Sequence, residues 1–257
     1  MSYGTSGDSR LSKNEKREAA REKARVLREE QKKKDRRTKL ILQGSIILAS
    51  LAIVAIIALV VVNSIKPAGP GPRNMASDGI QLSQGAIATE TPGLKPGEDP
   101  VPNVRDEASG VLDIQMYVDY LCPICGQFEA TNGEYISSLL ENGGTTVEIH
   151  PIAILDRLSQ GTKYSTRAVN AAACVADMSP NQFYDFHNQL FANQPAENTT
   201  GLTDEEIIAL TVAAKVDNAD KIASCIKDQS FKAWATAATA RALNGPIPNS
   251  NVDKVTG

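Results

Sequence analysis

The chain has 257 residues, 27 Lys+Arg against 30 Asp+Glu, and a formal net charge of −3. That near-neutral total hides opposed halves: residues 1–39 carry 14 basic and 7 acidic side chains, and those beyond 63 carry 13 and 23. The basic stretch has almost no aromatic residue and intersperses Glu and Gln, which speaks against nucleic-acid binding and for a solvated helix near anionic lipid headgroups.

In chain order, the first element is therefore a basic segment, 1–39, expected in the cytoplasm. Next, Leu40–Val62 is an uncharged run of 23 residues with only Gln43, Ser45 and Ser50 polar. That matches the roughly 20 apolar residues needed to cross a bilayer core, and it exceeds a signal-peptide core in length. Residues 40–63 are expected to be a single transmembrane helix. Lys32, Lys33, Lys34, Arg36, Arg37 and Lys39 crowd its front end, so the positive-inside rule leaves the N-terminus cytoplasmic and the bulk outside.

Residues 64–110 hold seven Pro and seven Gly in 47 positions. On composition they read as an unstructured extracytoplasmic linker that holds the folded part off the membrane. The remainder, 111–257, is long enough for one domain. A strand is predicted over 111–118, then a helix over 125–141. Asn142-Gly143-Gly144 provides the break before a second strand over 145–151. Helices follow: an Ala-rich one near 166–178, one opened by Ser179-Pro180-Asn181-Gln182, one capped by Thr203-Asp204-Glu205-Glu206, and two over 219–228 and 231–244. Strand, crossover helix and strand make a parallel pair.

Cys122-Pro123-Ile124-Cys125 falls between the first strand and the first helix. Orphan N–H groups and the helix dipole favour a negative sulfur at Cys122, and Pro123 suits the first helical position. Two cysteines three apart in that setting suit thiol–disulfide exchange, with Cys122 attacking and Cys125 resolving. A zinc site would need two more ligands at suitable spacing, and the remaining Cys174, Cys225, His150 and His187 are dispersed, so no metal is expected. No organic cofactor is implied either. Cys174 and Cys225 are the remaining pair for a structural disulfide in an oxidising compartment, the alternative being two separately buried thiols. His150 is expected to be packed or capping, and His187 to be a partly exposed helical residue. Asp119, three before Cys122, would raise rather than lower a neighbouring thiol's pKa.

From Met116 to about Arg241 the sequence resembles the DsbA-like thioredoxin-fold oxidoreductases, of the membrane-anchored actinobacterial kind. The residues that carry this are Val118 through Cys125 with Phe128-Glu129, Pro151 through Leu155, Tyr164 through Ala168, and Phe183 through Phe191 followed by Asn193-Gln194-Pro195. The resemblance implies a thioredoxin-like α/β fold with a helical insertion. It also implies a redox-active Cys122–Cys125 pair, a second structural disulfide in the helical region, and exported proteins with cysteines as substrates. A membrane redox partner such as a quinone-linked oxidase would exchange electrons with the site.

Two departures from the family stand out. Where relatives carry a buried acid six residues before the nucleophile, this chain has Met116. The family's Thr-cisPro loop, two further strands and closing helix are missing before Gly257, so an incomplete sheet of two parallel strands with an open edge is expected. That omission leaves a second reading, a catalytically weak, anchored binding or scaffold protein.

Overall fold

A computed structural model describes residues 18, 21–39, 42–44, 69–105, 108 and 110–256. It divides into two compact units, Met1–Lys66 and Pro67–Gly257. In the first, residues 21–39 form a helix (α1) with its side chains exposed. Arg25 and Glu29 face each other at 3.7 Å one turn apart, a solvated contact that adds little stability. Of the apolar run 40–63 only residues 42–44 are described, and they are helical, so the expected span lies outside the described residues. Among those that are described, no helix is long and apolar enough to cross a membrane.

The second unit is built on a four-stranded sheet. Its strands are β1 (Ile80–Ser83), β2 (Ile87–Ala88), β3 (Leu112–Val118) and β4 (Thr145–Pro151), in the order β2-β1-β4-β3. β3 and β4 run parallel through the crossover helix α2 (Pro123–Glu141), and β1 is antiparallel to both β4 and β2. Five helices follow: α3 (Tyr164–Met178), α4 (Phe183–Ala192), α5 (Asp204–Ala213), α6 (Ala219–Lys227) and α7 (Lys232–Asn244). α5 begins with a full capping box, Thr203 and Glu206 each bonding the other's main chain. α4 begins one residue past a 3-10 turn, Pro180–Gln182, instead of at a side-chain cap on Ser179.

Register and the period-2 alternation of strands sort the sheet into two faces. Ile80, Leu82, Met116, Val118, Val147 and Ile149 are buried on one, in a core shared with Ile136 and Leu140 of α2 and nearly all of α3. Gln81, Gln115, Tyr117, Glu148 and His150 share the other. On that face, Glu148 accepts hydrogen bonds from Ser77 (2.5 Å) and Asn103 (2.8 Å), and the Tyr117 and His150 rings stack at 4.4 Å. Burial pushes the Glu148 carboxyl up, but the contacts with His150, Ser77 and Asn103 outweigh it and hold the group below the usual range.

The stretch expected to be an unstructured linker is corrected over its described part, 69–105. It supplies β1 and β2 and buries Met75, Ala76, Ile80, Leu82 and Ala88, so the sheet has four strands and not two. It is also tied to the helices: Arg73 pairs with Asp177 of α3, and Asp78 receives both Nε (2.6 Å) and Nη2 (2.7 Å) of Arg241 on α7. The glycines that suggested flexibility are places of close approach. A Cβ on Gly79 would lie 2.7 Å from the His150 ring, and one on Gly93 would strike the carbonyl oxygen of Gly71. At the far side of the sheet, β3 is the edge strand.

Candidate active site

β3 delivers the chain to Cys122 and Cys125 through a short turn whose anchor is Asp119. That side chain is buried and accepts four hydrogen bonds: from Leu121 N–H (2.9 Å), Ile154 N–H (2.8 Å), Leu155 N–H (2.9 Å) and the Ser165 hydroxyl (2.8 Å). One carboxylate thus ties together the turn, the loop after β4 and the first turn of α3. Burial outweighs these four donors and holds its pKa above the ordinary carboxylate value. Asp119 is a structural clamp on the turn, a role its position in the sequence did not reveal.

Cys122 is the N-cap residue of α2, with extended backbone (φ −73°, ψ 116°), and Pro123 follows at the first helical position. Its N–H is bonded to Asp119 O (2.9 Å), and its C=O accepts the Gly126 N–H (3.1 Å). Both Cys122 and Cys125 are unbonded to other cysteines and partly exposed. Between them, Ile124 stands 74% exposed, and Phe128 one turn on is 44% exposed, so the flank of the pair is open and apolar. Burial, the contact with Cys122 and the nearby Asp119 together push the Cys125 thiol up to about 12. Cys125 therefore stays a thiol at neutral pH.

Met116 lies on the apolar face, 7% exposed, with no carboxylate at that place on β3. Behind the turn lies a buried polar chain instead. Tyr120 Oη meets His187 Nδ1 at 3.2 Å, and His187 Nε2 meets Glu129 Oε1 at 3.2 Å. His187 is fully buried, which corrects the expectation of partial exposure. Phe183, Tyr184 and Phe191 pack around its ring, and two polar partners satisfy its nitrogens, so turning it inward leaves nothing unpaired. His150 is packed at 2% exposure, with its ring stacked on Tyr117. Gln194, just past α4, donates from Nε2 to the carbonyl oxygens of Tyr120 (3.2 Å) and Cys122 (2.9 Å). Sequence reasoning did not single it out; the only signal was its place in the Asn193-Gln194-Pro195 run.

Cys174 and Cys225 are bonded to each other, joining α3 to α6 across a separation of 51 residues, with Cα atoms 6.0 Å apart. Four cysteines thus form two pairs, one inside the helical insert and one at the mouth of α2.

Residues 107–247 match a protein-family model described as thioredoxin, which leaves β1 and β2 outside the matched stretch. The reduced form of the disulfide bond oxidoreductase DsbG from Mycobacterium tuberculosis is 30% identical, with a TM-score of 0.50 over 67% of this chain and 74% of that one. Oxidised DsbA from the same organism is also 30% identical, with a TM-score of 0.49 over 63% of this chain and 76% of that one. Among curated proteins, the serine/threonine-protein kinase PknE of Mycobacterium tuberculosis is 34% identical over 120 residues. That is 44% of this chain and 20% of the kinase, so the chain spans about a fifth of the length of the curated relatives it matches.

Proposed function

We propose that this chain, which belongs to the thioredoxin family, is a DsbA-like thiol–disulfide oxidoreductase that works through Cys122 and Cys125 on exported proteins, outside a membrane that its N-terminal region anchors it to. The observation that carries the reading is the asymmetry of the pair: Cys125 is held as a thiol behind an exposed flank, which leaves Cys122 as the attacking sulfur. In the reducing direction, the Cys122 thiolate attacks one sulfur of a substrate disulfide. A mixed disulfide forms and the other substrate sulfur leaves as thiolate, taking a proton. Cys125 then gives up its proton and attacks the Cys122 sulfur. The second substrate sulfur is released as a thiol, and two electrons have passed to the substrate, leaving a Cys122–Cys125 disulfide. Substrate oxidation is the same sequence reversed, with a membrane-embedded quinone-linked oxidase as the acceptor that restores the disulfide.

Cys125→Ala in the full chain is expected to accumulate mixed disulfides with cysteine-containing substrates on non-reducing gels, and Cys122→Ala is not. Equal trapping by both variants would overturn the assignment. The anchoring half of the proposal rests on the charge asymmetry about residues 40–63. Reporter fusions at the two ends should be active outside the membrane only at the C-terminal end; the opposite pattern sinks the topology.

A further inference from the structure

We infer that Gln194 is a positioning residue for thiol–disulfide exchange, and that residue 126 is glycine in order to admit it. Gln194 comes from the helical insert, yet its Nε2 bonds the carbonyl oxygens of Tyr120 and Cys122, on either side of Leu121. The Cys122 carbonyl thereby accepts two donors, the Gly126 N–H of its own helix and the amide of a residue 72 positions away. Two carbonyl acceptors fix which way the amide points, since only its nitrogen can donate to them. Its oxygen then lies over residue 126, where a Cβ would collide with it and sit 3.0 Å from the amide carbon.

The glycine has no backbone reason to be there. Gly126 is inside α2 and is absent from the residues with positive φ, so alanine would fit the conformation. In a helix interior, alanine would be favoured over glycine. What glycine provides is space for the Gln194 amide. The amide in turn holds the Cys122 peptide group in the extended geometry that sets its sulfur at the mouth of α2. Attack on a disulfide is sensitive to that placement, because the reacting atoms must be held in line before the step. The inference rests on the reading of Cys122 as the nucleophile.

The test uses the full chain in detergent, with Gln194→Ala, Gln194→Glu, Gly126→Ala and the double variant Gly126→Ala/Gln194→Ala. Exchange with a small disulfide, the glutathione equilibrium constant, the pH profile of thiolate absorbance and thermal stability are measured for each. Gln194→Ala should slow exchange by about two- to tenfold, the range that one lost hydrogen bond spans, and move the pH profile upward. Gly126→Ala should do the same while leaving the helix no less stable. The double variant should be no worse than either single one, because each removes the same contact. Gln194→Glu should be the slowest, since it sets a carboxylate against two carbonyl oxygens. A merely structural role would lower the melting temperature and leave the folded protein's exchange rate and pH profile alone. That result, an additive double variant, or a Gly126→Ala that matches the parent would overturn the inference. If the parent chain exchanges no faster than Cys122→Ala, the nucleophile assignment falls, and this inference with it. Normal exchange in the parent and in all four variants removes Gln194 alone.

Discussion

Cys174 and Cys225 are 0% and 8% exposed and joined across 51 residues, whereas Cys122 and Cys125 sit three apart, partly open to solvent and unbonded. On the proposed function the same chemical group does two jobs here, and the environment divides them. Cys174 lies within α3 between Ala173 and Val175, both fully buried, so an attacking thiolate has no approach to its sulfur. Cys122 sits at a helix start, where N–H groups lack intrahelical partners, beside an exposed apolar flank. Access and the end of a helix make a cysteine reactive; enclosure in a helix pair makes it a brace.

The most drastic way to break this contrast is at the open pair. Cys122→Ala should abolish insulin reduction while Cys174→Ala/Cys225→Ala keeps it at moderate temperature. Loss of activity from the second variant in its folded form would show that the buried pair also takes part. Second in size is the brace itself. Removing it should lower unfolding free energy by about 3–4 kcal/mol in the chain-entropy view, read from denaturant midpoints at constant slope. A loss under 1 kcal/mol would mean that packing of α3 on α6 suffices without the bond.

The third test addresses the link between the pairs. Asp119 ties the turn before Cys122 to Ser165, on the helix that carries Cys174. Asp119→Asn keeps the shape but turns an NH2 group toward N–H donors, and it should cost about 2 kcal/mol through the lost acceptor. It should also loosen the turn, seen as faster amide exchange at Leu121 and Leu155; protection equal to the parent would contradict the clamp.

The last test concerns pH. Burial, with Cys122 and Asp119 close by, pushes the Cys125 thiol up to about 12 in the folded protein, above the ordinary value of about 8.5 expected when unfolded. A raised value means that stability is fully present below the unfolded pKa and drains away as pH rises through the folded one. The reduced protein should therefore lose stability from about pH 8.5 upward, toward 12. The oxidised protein lacks that titration, so the gap between the two forms should widen over the same window. Parallel melting curves for the two forms would show that Cys125 ionises freely.

Much of the domain was open to reading because its signals are local. The apolar run of β3, the break at Asn142-Gly143-Gly144 and the Thr203–Glu206 box each act within a few residues, and the helices and strands fall where those signals put them. Residues 69–105 were misread because Pro and Gly count as breakers in any composition. Here the glycines mark contacts with His150 and with the backbone at Gly71, which no count reveals. His187 was misplaced for a similar reason: its two partners, Tyr120 and Glu129, lie 67 and 58 positions away.

By itself, then, the sequence determined the strand–helix junction and the cysteine spacing at its mouth, because hydrogen bonding and dipoles at a helix start depend only on near neighbours. Tertiary structure alone decided what surrounds that motif. It brought β1 to the edge of β4, one carboxylate to three segments, and a glutamine to the carbonyl of Cys122 over a residue without a side chain. Contacts of that kind join residues far apart in the chain, and packing and polar satisfaction choose among them only once the whole core has closed.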